Sequence, residues 1–180
     1  MFMNPILWGE IIGIIAIAVS CVVFLCNRRK RILILKGVSD VLWSANNFLL
    51  GAFTGGLLNA VGLFREFVFY HRVEKKWAKS RWWLCLFCAT CFISPILEIV
   101  INGAFRFLPF LAASSSLLVV CGLYAKEPKT MRLLNLMSKA PWLIYQVANR
   151  NITGTVSCLM TTAFIVVGAI LAGRENKKDA

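Results

Sequence analysis

Two triplets of residues carry most of the chemistry this chain offers. Asp40, Trp43 and Asn47 stand at i, i+3 and i+7, a spacing that puts them on one face of a helix. Lys139, Trp142 and Gln146 repeat the spacing 99 positions later. An indole between a charge and an amide suits recognition of a small polar molecule. The ring supplies a flat apolar wall, and the polar groups fix orientation by hydrogen bonding. Two such faces on equivalent helices would line a central cavity. The competing reading has them packing the bundle and hydrogen-bonding from helix to helix. Asp40 and Lys139 hold equivalent places with opposite charge, so they are expected to pair. The alternative is that Lys139 extends to the membrane surface and never meets Asp40. A charge isolated at the centre of a span costs roughly 2.5–3.5 kcal/mol, and pairing offsets part of that.

The other reactive side chains form no catalytic constellation. His71 is the only histidine, and the chain has no glycine-rich phosphate loop and no carboxylate cluster. Arg65 and Glu66 are adjacent, point about 100° apart on a helix, and are not expected to make a simple pair. Glu10 and Glu98 are lone carboxylates. Glu10 is expected at the outer interface, and Glu98 is expected to bond a neighbouring helix or Arg65. Proton binding for coupled transport is the alternative role for either. Cys85, Cys88 and Cys91 are spaced like metal or redox ligands, but no second ligand cluster accompanies them. Like the other four cysteines they lie in apolar sequence and read as packing rather than as a disulfide framework. No enzymatic activity, no metal and no cofactor is expected.

The elements that must position these residues follow from composition. Hydrophobic residues make up 59% of the 180, and the mean hydropathy is +0.73; soluble domains are nearer about 45–50% apolar. Seven apolar runs cover residues 5–26, 32–50, 55–70, 82–102, 105–124, 130–149 and 153–173. Seven spans of roughly 20 residues use most of the chain, leaving no room for a soluble domain. The fold class is therefore all-α integral membrane with seven transmembrane helices. The first run carries Glu10, lacks early basic residues and ends on Arg28, Arg29, Lys30 and Arg31, so it reads as a span with a stop rather than a signal peptide. A net charge of +12 would suggest nucleic acid in a soluble chain. Here the basic residues collect in alternate loops. With the first loop inside, sixteen of them are inside and two, Arg106 and Arg150, outside. That predicts an outer N-terminus and a cytoplasmic C-terminus, with the lipid bilayer rather than nucleic acid as the partner. Oligomeric state leaves no signal.

The 99-residue match extends beyond the triplets. Ser39 falls on Ser138, Thr54 on Thr153 and Gly55 on Gly154. It predicts two parallel three-helix repeats joined by a connector helix, a 3+1+3 plan, with residues 1–73 as the first bundle, 74–103 as basic loop and connector, and 104–180 as the second bundle and tail. Asn47, Phe48, Leu49, Leu50 and Gly51, followed by Gly55 and by Leu58, Asn59 and Ala60, resemble the YgjV-type family of bacterial inner-membrane proteins. The likeness is densest over residues 27–71 and implies a bacterial inner membrane, with no activity attached. The layout is more distantly similar to SWEET and PQ-loop transporters, in which a middle-helix residue and a third-helix asparagine of each half line the pocket. On that resemblance Trp43, Asn59 and Trp142 match pocket positions, and Cys158 stands where the second asparagine would be. There is no Pro-Gln pair in the chain. The candidate substrate-binding set is then Trp43, Asn47, Asn59, Trp142, Gln146 and Cys158, with Asp40 and Lys139 as a charge pair. The function that follows is a transporter-like protein for a small polar solute. The alternative is a non-transporting scaffold or regulator of the same fold.

Overall fold

The computed structural model describes residues 4–26, 28–125 and 127–178. They form seven α-helices: α1 (Pro5–Leu25), α2 (Arg29–Leu49), α3 (Phe53–His71), α4 (Trp82–Asn102), α5 (Leu108–Tyr124), α6 (Pro128–Ala148) and α7 (Ile152–Lys178), with a 3₁₀ turn at Trp77–Lys79. Local chemistry sets the ends. Asn4 accepts from the amide of Ile6 at 3.0 Å, and Pro5 opens α1, where its missing N–H is no loss. Gly103, at φ 65°, closes α4 by donating to the carbonyl of Ile99 at 2.9 Å.

The α2–α3 and α6–α7 turns share one hydrogen-bond pattern. Leu50, Gly51 and Ala52 donate to the carbonyls of Asn46, Phe48 and Asn47 at 3.1, 3.1 and 2.8 Å. Asn149, Arg150 and Asn151 donate to Tyr145, Val147 and Gln146 at 3.1, 3.0 and 3.0 Å. The middle residue is left-handed in both, with φ 74° at Gly51 and 54° at Arg150.

The helices close a ring. α1 packs on α2 and α7, α2 on α3, α3 on α5, α5 on α6, and α6 on α7, while α4 lies against α3 and α5. The ring is polar within and apolar without. Ser39, Asp40, Asn46, Asn47, Arg65, Glu66, Gln146 and Thr161 are buried, while Ile14, Val100, Phe92 and Leu159 are exposed. That inverts the arrangement of a soluble protein and suits a lipid surround. Among the described residues, α1, α4 and α7 contain stretches long and apolar enough to cross a membrane, with mean hydropathy of 2.4, 2.3 and 1.8. α2, α3 and α6 carry charges inside the ring, which lowers their averages. At the rim where α5 ends, Arg29 and Arg72 donate to its last carbonyls, Leu123 and Tyr124, at 3.0 and 2.6 Å, and the Arg72 guanidinium lies 3.5 Å over the Tyr124 ring.

Three boundaries differ from the sequence reading by three residues or more, and one of them is the start of α2, at Arg29 rather than 32. α5 starts at Leu108 rather than 105, with Pro109 in its first turn where proline is tolerated. α7 continues to Lys178 instead of ending at 173, because Arg174, Glu175, Lys177 and Lys178 are good helix formers and nothing interrupts them. Asp179 and Ala180, the end of the expected tail, lie outside the described residues.

Candidate functional site

The ring encloses a polar cavity of about 90 Å³, bounded by α1, α2, α3, α5, α6 and α7. Among the described residues none of its lining comes from α4. Along α6 it runs from Asn135 past Lys139 and Trp142 to Gln146, a depth of about 16 Å at 1.5 Å per residue. Trp43, Asn59, Trp142, Gln146 and Cys158 line it, as do Asp40 and Lys139. Asn47 lies outside the lining. Its Nδ2 donates to the carbonyl of Trp43 at 2.8 Å, and its Oδ1 sits against Gly55. Asparagine is one methylene shorter than Gln146, its counterpart in α6, and its amide stays back against the turn.

One end of the cavity is ionic. Asp40 accepts from Lys36 at 2.8 Å and from Arg65 at 3.4 Å. Arg65 also donates to both oxygens of Glu66, at 3.1 and 3.0 Å. The adjacent pair does bond, contrary to the expectation from helical angle. Both side chains are long enough to turn toward the charges of α2, where Lys36 lies 3.9 Å from Glu66. Arg65, Glu66 and Asp40 are all buried, and every charge here has an opposite neighbour, as burial requires. The carboxylate of Asp40 is thus met by cations of its own half, while Lys139 stands on the same cavity wall.

The middle is lined by hydroxyls and indoles. Trp43 donates to Ser20 at 2.9 Å, and Ser20 shares a 2.7 Å hydrogen bond with Ser39. Ser115 donates to the carbonyl of Ser138 at 2.7 Å. At the other end Gln146 is fully buried, and neither of its amide atoms has a protein partner; the Nδ2 of Asn59, another lining residue, lacks one too. Buried amides are normally hydrogen-bonded, so these atoms mark where a polar solute or water would be held.

Beyond Gln146 the cavity is covered by the two turns, each tied across the ring. The hydroxyl of Tyr145 accepts the amide of Gly55 at 3.0 Å. Asn46, its counterpart 99 residues earlier, bonds Thr153 at 3.3 Å and accepts from Asn151 at 2.7 Å. Glu98 of α4 accepts from the amide of Thr54 at 2.9 Å and also from its hydroxyl, and Glu10 of α1 accepts from the amide of Thr153 at 3.2 Å. Both carboxylates therefore cap helix N-termini, where the exposed amides and the dipole favour negative charge. Glu98 bonds a neighbouring helix, as one of the two sequence alternatives held, and its partner is Thr54 rather than Arg65. These ties were missed in the sequence. The signal that would have found Tyr145 is its place 99 residues after Asn46, each four residues ahead of the same kind of turn.

Cys85, Cys88 and Cys91 pass from exposed through half-buried to buried around α4, and all three are free thiols.

No curated protein and no solved structure matches the chain. The family profile described as Imp-YgjV, bacterial inner membrane protein, matches residues 7–175. A ring of helices that is apolar outside and charged within, matched over nearly its whole length, belongs to the Imp-YgjV family of bacterial inner membrane proteins.

Proposed function

We propose that this is a non-enzymatic, transporter-like membrane protein that takes a small polar solute into the cavity at the centre of the ring. The observation that carries the reading is Gln146: a fully buried amide with both atoms unpartnered, on the wall of a polar cavity bounded by six helices. A scaffold packed for its own sake would close such a group with a protein partner. The reading goes with the 3+1+3 plan, which three features of the ring support. α1 meets α7 as α5 meets α3, the two turns bond alike, and α4 stands outside the cavity as a connector would. A rotation about the membrane normal that exchanges α1–α3 with α5–α7 would account for all three. Such repeats place solute sites near the midplane at their interface. In the orientation drawn from the basic residues, with N-terminus outside and C-terminus in the cytoplasm, the turns close the outer end. The ionic cluster then lies toward the inner end.

Cys158 supplies the test, because it is a buried thiol on the cavity wall. Membrane vesicles of either orientation are treated with a water-soluble methanethiosulfonate, and modification of Cys158 is read by peptide mass spectrometry. The expected result is reaction at Cys158 from at least one side. If Cys158 stays unmodified from both sides while exposed Cys85 reacts, the interior is packing and the scaffold reading replaces this one.

A further inference from the structure

The hydrogen-bonding groups left open on the cavity wall name a solute class for the site just proposed. Most polar groups there are already engaged. Trp43 donates to Ser20, Ser115 and Ser138 donate to main-chain carbonyls of α6, and Thr161 donates to one of α7. Among the described lining residues, three buried side-chain atoms have no hydrogen-bond partner: Nε2 and Oε1 of Gln146 and Nδ2 of Asn59. Gln146 is fully buried. A Cβ on Gly154 would lie 2.7 Å from its amide carbon, so the amide rests on the first turn of α7. Cys158 lies one turn farther along that helix, on the same wall.

Two amide nitrogens and one carbonyl oxygen call for a solute that both accepts and donates. A carboxylate only accepts, and would set a negative oxygen against Oε1. An ammonium only donates, and would leave both nitrogens open. A buried group left unpaired in this way is what lets a hydrogen-bonding site reject a close analogue. A lone hydroxyl does both, but from one oxygen, which meets the two atoms of Gln146 through bent, weaker bonds. A primary amide carries its C=O and NH₂ side by side in one plane. It can meet Nε2 and Oε1 with two parallel bonds and keeps a second carbonyl lone pair for Nδ2 of Asn59. The Trp43 and Trp142 indoles on the same wall add flat apolar surface that suits a planar group.

We propose that the cavity binds a small solute bearing a primary amide, whose amide edge pairs with that of Gln146. Both halves of the Gln146 amide are then satisfied by one group, and the solute's plane lies along the wall that Trp142 shares.

This rests on the cavity being a solute site, and the experiment separates the two claims. The probes are acetamide, acetone, acetate and propan-2-ol, which share one branched skeleton and differ in what they donate and accept. The readout is the rate of Cys158 modification in vesicles of the intact protein at matched ionic strength, with exposed Cys85 as the reference thiol. Acetamide is expected to slow the reaction at Cys158 and not at Cys85. Its half-protecting concentration should lie at least about tenfold below that of each other probe, the scale of one buried group left unpaired. Gln146→Met keeps the side-chain length and removes both polar atoms. It should leave Cys158 reactive and make the four probes alike. The comparison in the unaltered protein stands without the variant. Another probe matching acetamide, no protection by acetamide at a Cys158 that reacts, or a preference that survives Gln146→Met overturns the amide assignment and leaves the cavity standing. A Cys158 that reacts from neither side overturns both.

Discussion

The α2–α3 and α6–α7 turns share one backbone pattern, and the helices they join carry different chemistry. In the first half, positions 36, 40, 65 and 66 hold Lys, Asp, Arg and Glu, bonded into one network. Ninety-nine residues on, the same positions hold Asn135, Lys139, Phe164 and Ile165. The turns, by contrast, agree bond for bond, down to a left-handed residue at 51 and 150. Backbone geometry at the turns tolerates little change because it sets how the helices re-enter the membrane. The interior positions only need to balance charge over the whole ring, so one half can carry the ions and the other be nearly neutral.

The sharpest way to break this comparison is to give the first half the second half's residues one at a time. Glu66→Ile alone leaves Arg65 and Lys36 under-neutralised in a buried site and should lower unfolding stability in detergent by about 3–5 kcal/mol. Arg65→Phe with Glu66→Ile removes both charges and should lose less than that single change. Thermal unfolding of the two variants decides it; equal or additive losses would mean the network is not a unit.

The turns give the next effect. A Cβ on Gly154 would lie 2.7 Å from the Gln146 side chain and 2.8 Å from that of Asn151, and one on Gly55 would lie 2.9 Å from Asn47 and 3.0 Å from Tyr145. Gly154→Ala and Gly55→Ala should each lose about 1–3 kcal/mol by overpacking, Gly154→Ala the more, since its neighbours are closer. A neutral outcome at both would show that the helices separate there freely.

Arg150 is the exception that sharpens the likeness. A non-glycine residue at φ 54° is strained by about 1–2 kcal/mol, partly offset because glycine loses more freedom on folding. Arg150→Gly should therefore raise stability by roughly 0.5–1 kcal/mol, whereas Gly51→Ala at φ 74° should lower it.

The smallest effect lies at the rim. Glu74 is exposed and bonded to Lys30, which holds its carboxyl below the usual carboxylate range. A depressed carboxylate contributes stability above its unfolded value, about 4.3, and loses it as pH falls through the lower folded value. The difference in melting temperature between the protein and Glu74→Gln should be slight at neutral pH and close below about pH 4.

How much of this could be read in advance depends on the range of the interaction. Periodicity and turn residues placed all seven helices within a few residues, including α2 and α6, whose charges depress their hydropathy. Trp43, Trp142 and Gln146 were legible because a helix carries i, i+3 and i+7 on one face whatever surrounds it. Asn47 shares that face and still misses the cavity, since side-chain length decides the last few ångströms. The bond between Arg65 and Glu66 was illegible for a related reason. Angular spacing describes where side chains leave the helix, and two long ones can be bent together by charges on another helix. The caps from Glu98 and Glu10 join residues 44 and 143 apart in sequence, and no local pattern announces such a partner.

The closed charge network of α2 and α3 bears on how the chain enters the bilayer during synthesis. Lys36, Asp40, Arg65 and Glu66 all lie before residue 73, on two helices joined by a tight turn. The hairpin therefore emerges from the ribosome with its counterions already aboard. Each charge that would cost roughly 2.5–3.5 kcal/mol on its own can be neutralised inside the hairpin before the second half exists. α6 has no such supply. Residues 128–174 contain no acidic residue, and the buried carboxylates Asp40 and Glu66 were delivered earlier by α2 and α3. Biogenesis thus runs in one direction: the early hairpin can partition into lipid by itself, and the late one is accepted against it.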